Sequence, residues 1–409
     1  MIMLSEIKFK YNSNSGDKIS DISNTDFLSK ESIGTVRKFF ETFPNYKATP
    51  LHSLNNLAKY LGIDKIYIKD ESKRFGLNAF KSLGGAYAVS NCICEKLGID
   101  IEDASFEMLK SKEIKDKIGD ITFVTATDGN HGRGVAWAAK NFGYKSIVYM
   151  PKGSAKDRLE NIRREGAEAS ITDMNYDDAV RYAKSVADKI GGIMVQDTAW
   201  DGYEHIPTWI MQGYTTITDE VISQLQDMGA EKPTHVFLQA GVGSFAGSIL
   251  GYFTNLYRED RPISIIVEPN TAACIFKSAS SGDGKIHPVT GDMETIMAGL
   301  ACGEPNTISW KILRDYANAY VSCGDYVSAR GMRILGNPLP GDDQVISGES
   351  GAVGMGLLSL ILQREKFKDV KEKLKLDSNS KVLIISTEGD TYPDGYREVV
   401  WDGRCPSYE

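Results

Sequence analysis

The residues of this chain best suited to chemistry gather in four short stretches. In Asn78-Ala79-Phe80-Lys81-Ser82 a lysine stands at the start of a helical pattern, where the partial positive charge of a helix N-terminus disfavours it. Such a lysine is either exposed to solvent or placed for use. One use is Schiff-base chemistry, in which a partly buried amine of depressed pKa attacks a carbonyl. Thr127-Asp128-Gly129-Asn130-His131-Gly132 follows an apolar run, so a strand, a tight turn and a helix start form a ligand- or anion-binding corner. Asp or Asn there is also an ordinary N-cap, but capping does not account for Asp, Asn and His crowded together. Gly241-Val242-Gly243-Ser244-Phe245-Ala246-Gly247 fits G-x-G-x-x-x-G, with its last glycine one position late for a dinucleotide loop. Its small residues let backbone amides converge on a single phosphate at the following helix start. The fourth stretch, Ser386-Thr387-Glu388-Gly389-Asp390, ends an apolar run, where hydroxyls commonly serve turns.

These stretches need elements that bring them together. Apolar strand signals at Lys65–Lys69, Ile121–Ala126, Ser146–Met150, Ala169–Thr172, Ile193–Gln196, Thr234–Ala240, Ile263–Glu268 and Lys381–Thr387 alternate with helical patterns. The helices are expected at Ser82–Leu97, His131–Phe142, Asp157–Gly166, Asp177–Lys189, Thr208–Asp227, Phe245–Tyr257 and Gly351–Arg364. Near-continuous apolar strands separated by helices mean βαβ units and parallel sheets, hence an α/β fold. Open sheets of this class bind ligands at the carboxyl ends of their strands, and three of the four stretches lie directly after a strand. Ser278–His287 reads as a polar surface loop and Val370–Asn379 as a charged, solvated helix and turn.

Composition narrows the classes. At 409 residues, 42% hydrophobic and 25% charged, the chain can bury large cores and is long enough for two or three domains. A net charge of −8, with Lys and Arg scattered, argues against nucleic acid as the main partner. No run of about 18 apolar residues is present to span a membrane. Met1 to Gly16 lacks a signal-peptide core, and no G-x-x-x-x-G-K-[ST] loop suggests an NTPase. Six cysteines are too few for a disulfide scaffold and read as reduced packing residues, with a Cys274–Cys302 pairing left open. The acidic residues show no metal-site spacing. The expected setting is cytoplasmic.

The order of the four stretches resembles the fold type II pyridoxal-phosphate enzymes, the superfamily of threonine and serine dehydratases, cysteine synthase and tryptophan synthase β. The resemblance runs from about Lys47 to Asp390. It implies two open, twisted, mostly parallel sheets flanked by helices. A small domain, residues 84–209, would be inserted in a large one made of residues 1–83 and 210–409. It also implies a homodimer and pyridoxal 5'-phosphate as cofactor, bound as a Schiff base by Lys81. Asn130 would contact the cofactor's phenolic oxygen, and Gly241, Val242, Gly243 and Ser244 its phosphate. Thr387 would face the pyridine nitrogen, with Ser386 as the competitor for that place. A neutral hydroxyl there leaves the nitrogen unprotonated and favours elimination over transamination.

Within that superfamily FGLNAFKSLGGAYA, TATDGNHGRGVAWAA, VQDTAW, GVGSFAG and ISTEGD are similar to the diaminopropionate ammonia-lyases. Most dehydratases of this fold carry Ser where this chain has Asp128. A carboxylate suits a substrate whose leaving group is a cationic β-amine, and it can also move a proton. The resemblance implies α,β-elimination of D- and L-2,3-diaminopropionate to pyruvate and two ammonia. Asp128 would serve the D-substrate and Asp197 the L-substrate, with Lys81 a competitor as base for one face. Asp197 alone also reads as an N-cap, and His131 as a supporting hydrogen-bonder. Glu349-Ser350-Gly351-Ala352 and Ala298–Cys302 resemble segments near the cofactor in dehydratases. The rival within the fold is a serine or threonine dehydratase. A more distant rival is a non-catalytic α/β protein that binds a phosphate ligand.

Overall fold

The computed structural model describes residues 7–12 and 22–407. Most of the Met1 to Gly16 stretch read for targeting signals lies outside the described residues. Among the described residues, eleven strands form two sheets. They are β1 (Lys8–Tyr11), β2 (Leu51–Ser53), β3 (Lys65–Asp70), β4 (Thr122–Ala126), β5 (Lys145–Met150), β6 (Glu168–Ile171), β7 (Ile193–Met194), β8 (His235–Gln239), β9 (Ile263–Pro269), β10 (Ala319–Cys323) and β11 (Lys381–Ser386).

The larger sheet has the order β1-β10-β9-β8-β11-β3-β2, parallel throughout except for its two antiparallel edges, β1 on β10 and β2 on β3. The smaller, β6-β5-β4-β7, is wholly parallel. Central strands are buried on both faces, as parallel strands flanked by helices must be. One apolar cluster joins Phe123 and Val135 beside the small sheet to Val236 and Leu250 beside the large one. A second fills the other face of the large sheet with Ile66, Phe237, Ile384 and Leu357. Among the described residues no helix is long and apolar enough to cross a membrane.

The expected long helix Thr208–Asp227 is two helices, His205–Tyr214 and Thr216–Asp227. The hydroxyl and amide of Thr215 both take Gln212 O, at 2.5 and 3.1 Å, so a side chain competes with the helical ladder at the break. The strand expected to reach Gln196 stops at Met194, because the Gln196 amide turns to the Tyr203 hydroxyl at 2.9 Å. The Gln196 side chain continues the pairing instead, bonding both Ala126 N and Ala126 O at 3.0 Å. Ser278–His287 is not all loop: the helix Cys274–Ser281 runs into it, and Ser278 is buried. All six cysteines are free thiols, so Cys274 and Cys302 are not paired.

Glu268, near the end of β9, is fully buried and accepts from the amides of Ile275 and Phe276 at 2.8 and 2.6 Å, capping the helix that follows. Burial pushes its carboxyl up from 4.5 to about 8. The folded state therefore keeps a proton that the unfolded chain releases. The resulting stability is full below about pH 4.5 and is lost as pH rises through about 8. Glu268→Gln is expected to flatten the fall in unfolding midpoint between about pH 5 and pH 9. An unchanged slope would contradict the assignment.

Candidate active site

A buried ionic cluster sets the approach to Lys81. Lys69 Nζ lies 2.7 Å from Glu220 Oε2, while Arg74 pairs with Glu71 at 2.8 Å and with Glu220 at 2.7 Å. All four side chains are almost fully buried, and removing any one would strand a partner charge. From Arg74 the chain turns through Phe75 and Asn78, both with positive φ, into the helix that starts at Ser82. The turn is stitched to the end of β11. Phe80 N donates to Thr387 O at 3.0 Å, Gly389 N to Asn78 O at 3.0 Å, and Asn78 Nδ2 to Asp390 Oδ1 at 3.1 Å. The first and fourth sequence stretches are thus one structural unit.

The other two stretches face it. Lys81, Asp128, Asn130, Asp197, Gly241, Val242, Gly243, Ser244 and Thr387 all line one cleft between the two sheets' strand ends. Thr387 lies in the cleft and accepts from Gln239 Nε2 at 2.8 Å. Ser386 does not line it and bonds Ser347 Oγ at 2.8 Å.

Lys81 Nζ donates to Asp197 Oδ2 at 2.6 Å. Burial works against the ammonium, but Asp197 more than offsets it, so the amine is held above its ordinary value. This corrects the sequence expectation of a depressed lysine: the carboxylate alongside outweighs desolvation. Burial likewise works to raise Asp197, yet His131 and Lys81 hold its carboxyl down at about 2. His131 is itself pushed below its ordinary value by burial, so at neutral pH Lys81 is the charge responsible. His131 Nε2 donates to Val195 O at 2.8 Å, and its Nδ1 lies 3.8 Å from Asp197 Oδ2. At that distance it makes no hydrogen bond to Asp197, and Nδ1 has no partner among the described residues, so the hydrogen-bonding role expected of His131 goes to Val195 O.

Asp128 also lines the cleft, with Oδ2 3.4 Å from Arg158 Nη1. Asn130 heads the helix Asn130–Asn141 and donates to Glu388 Oε2 at 2.5 Å. Glu349 lies just outside, and burial together with Glu388 pushes its carboxyl up to about 7. In the Gly loop Ser244 Oγ donates to Asp197 O and accepts from Asn306 Nδ2 at 2.8 Å, which leaves binding to the backbone amides of the helix start. Gly243 has φ +96°, and a Cβ there would meet Ser309 Oγ at 2.9 Å.

The cleft also takes residues that sequence reasoning missed, among them Tyr176, Tyr214 and Gln239. Tyr176 donates to Asp197 Oδ1 at 3.3 Å but sits behind Asn175, an ordinary helix cap, and carried no signal. Gln239 had one: an amide directly after the apolar run Val236–Leu238 at a strand's carboxyl end. Both Gln239 Oε1 and Ser350 Oγ are buried at the cleft without a hydrogen-bond partner among the described residues.

The model of the family described as "Pyridoxal-phosphate dependent enzyme" matches residues 42–388. The chain is 56% identical over 370 residues to a diaminopropionate ammonia-lyase of Salmonella typhimurium, covering 90% of this chain and 92% of that one. The structure is similar to that of the holo diaminopropionate ammonia lyase of Escherichia coli, with a TM-score of 0.90, 50% identity and 99% of each chain covered. It is also similar to that Escherichia coli enzyme in complex with an aminoacrylate-PLP azomethine reaction intermediate, with a TM-score of 0.89, 49% identity and 98% of each chain covered.

Proposed function

The chain belongs to the pyridoxal-phosphate dependent enzymes, and from that premise we infer that it is an ammonia-lyase acting on both enantiomers of 2,3-diaminopropionate. Diaminopropionate and water give pyruvate and two ammonia. A proton leaves Cα, the β-amino group leaves as ammonia, and the remaining enamine takes up water to release the second. The observation that carries this reading is that Asp128 and Asp197 line one cleft with Lys81. A cationic β-amine there meets a carboxylate, and the Cα proton has an acceptor on each side.

Pyridoxal phosphate, when bound, supplies the electron sink for the charge left at Cα. The residues fit that group: Gln239 Oε1 and Ser350 Oγ, without a partner among the described residues, face the cleft, and glycines at 241 and 243 bare the backbone before a helix start that can take a phosphate. Lys81 would hold it through Nζ and the amides of Gly241, Val242, Gly243 and Ser244 its phosphate. Asn130 would hold its phenolic oxygen and Thr387 its ring nitrogen. The proton on Lys81 Nζ lies on the bond to Asp197 Oδ2, the group in place to receive it. The small sheet, which lies within residues 122–194, supports residues 84–209 as an inserted domain. The free thiols support a cytoplasmic setting. A homodimer is the assembly expected from the resemblance.

Protein supplied with pyridoxal phosphate is expected to gain a visible absorbance band and to release pyruvate from DL-2,3-diaminopropionate faster than from serine. Asp128→Ser is expected to move the ratio of kcat/KM toward serine by about 10-fold or more. Pyruvate from serine alone would keep the family and overturn the substrate. A protein that fails to take up the cofactor would overturn the residue roles.

A further inference from the structure

Arg158 is 5% exposed and stands in the first turn of the helix Lys156–Arg164. Both circumstances disfavour a cation, since burial strips its water and a helix start carries positive potential. Burial indeed works to lower it, but Glu388, Asp128 and Glu349 more than offset that, and the guanidinium stays charged. Its polar groups are incompletely met. Nη1 lies 3.4 Å from Asp128 Oδ2, and Nη2 lies 3.8 Å from Glu349 Oε2, beyond hydrogen-bond reach. Its buried Nε has no partner among the described residues.

The stem of Arg158 crosses the turn that carries Asp128. A Cβ on Gly129 would come 3.0 Å from Arg158 Cδ and press on that stem. Arg158 and Asp128 also line a wider vestibule outside the cleft. Arg158 does not line the cleft itself, whereas Asp128 lines both. Three carboxylates line the cleft: Glu388 accepts from Asn130 Nδ2 and Ser350 N, while the other two each pair with a cation, Asp197 with Lys81 and Asp128 with Arg158.

We propose that Arg158 is a positioning residue that aims the Asp128 carboxylate into the cleft, so that proton transfer on the face served by Asp128 depends on it and transfer on the Asp197 face does not. This rests on the function proposed above. Without its guanidinium the carboxylate loses the one cation within 4 Å of it among the described residues and is free to rotate toward the vestibule.

The test uses holoenzyme carrying Arg158→Met, Arg158→Lys, Asp128→Asn and the double Arg158→Met/Asp128→Asn change, with each enantiomer. Arg158→Met is expected to lower kcat for D-diaminopropionate by about 10²-fold, with KM and the L-enantiomer little changed. Arg158→Lys should recover part of that loss. In the Asp128→Asn background Arg158→Met should add nothing. Equal loss on both enantiomers without rescue by lysine, no loss at all, or full additivity would each overturn the proposal. If Asp128→Asn slows both enantiomers alike, the division of faces falls, while additivity still decides whether Arg158 acts through Asp128. Where rates are too low to read, the same cycle on the unfolding midpoint decides: coupled shifts sustain the pair, and additive shifts overturn it.

Discussion

Lys81→Ala protein is expected to show no visible absorbance band from a cofactor bonded to lysine and to form pyruvate more than about 10³-fold more slowly than the parent. Lys81 is the one lysine among the residues lining the cleft, so no neighbouring amine can take its place. The loss has a second signature in the cofactor-free protein. Asp197 is 2% exposed and keeps its charge because Nζ lies 2.6 Å away. With the ammonium gone, a buried unpaired carboxylate costs about 3 kcal/mol unless it takes up a proton. In the parent the carboxyl is held at about 2, so its contribution is present above the ordinary carboxylate range and is lost as pH falls toward 2. In the variant burial dominates and the carboxyl rises, so stability is lost as pH rises. The deficit in unfolding midpoint should therefore narrow as pH falls below about 5. A deficit that stays constant with pH would mean that packing, not the lost ion pair, destabilises the variant.

The second large effect is a crossed pattern. Asp128→Asn is expected to lower kcat/KM for the D-enantiomer by about 10²- to 10⁴-fold, and Asp197→Asn to do the same for the L-enantiomer, each sparing the other by comparison. An amide keeps the shape of the side chain and removes the proton acceptor. The two carboxylates reach the cleft from different strand ends of the small sheet, Asp128 after β4 and Asp197 after β7. Asp197→Asn carries an added cost, because it also removes the partner of Lys81. Its effect on the L-enantiomer should therefore exceed that of Asp128→Asn on the D-enantiomer. Steady-state rates with separated enantiomers check both. Uncrossed losses would assign one shared base, with Lys81 the first candidate.

The four stretches were readable because each sits where the chain changes element. Lys81 at a helix start, Asp128 and Asn130 after an apolar strand, and a run of small residues around Gly243 are local departures from what packing alone requires. The parallel strands β3, β4, β5, β8, β9 and β11 were readable for a similar reason, being largely apolar, whereas β10, buried throughout and interior to the large sheet, went unread. The two edges of the large sheet were not: β1 and β2 are short and half-exposed, and their pairing is set by partners more than ten residues away. Thr215 hid its break because threonine is tolerated within helices, and only its bond to Gln212 O interrupts the ladder. Arg158 and Tyr176 act on residues distant in sequence, so no local pattern marks them. The charge state of Lys81 was misjudged for the same reason, since Asp197 lies 116 positions along the chain.

The stitch between the turn before Lys81 and the end of β11 joins residues 312 positions apart, with Asn78 Nδ2 held by Asp390 Oδ1. β3 cannot be completed as an interior strand before β11 exists to fill the place between it and β8. During synthesis most of the chain must emerge before the lysine turn has anything to fasten to. The small sheet, by contrast, draws its strands from one contiguous stretch and needs no late partner. Assembly should therefore run from the middle outward, with affinity for the cofactor arriving as one of the last events rather than as a nucleus around which the rest condenses.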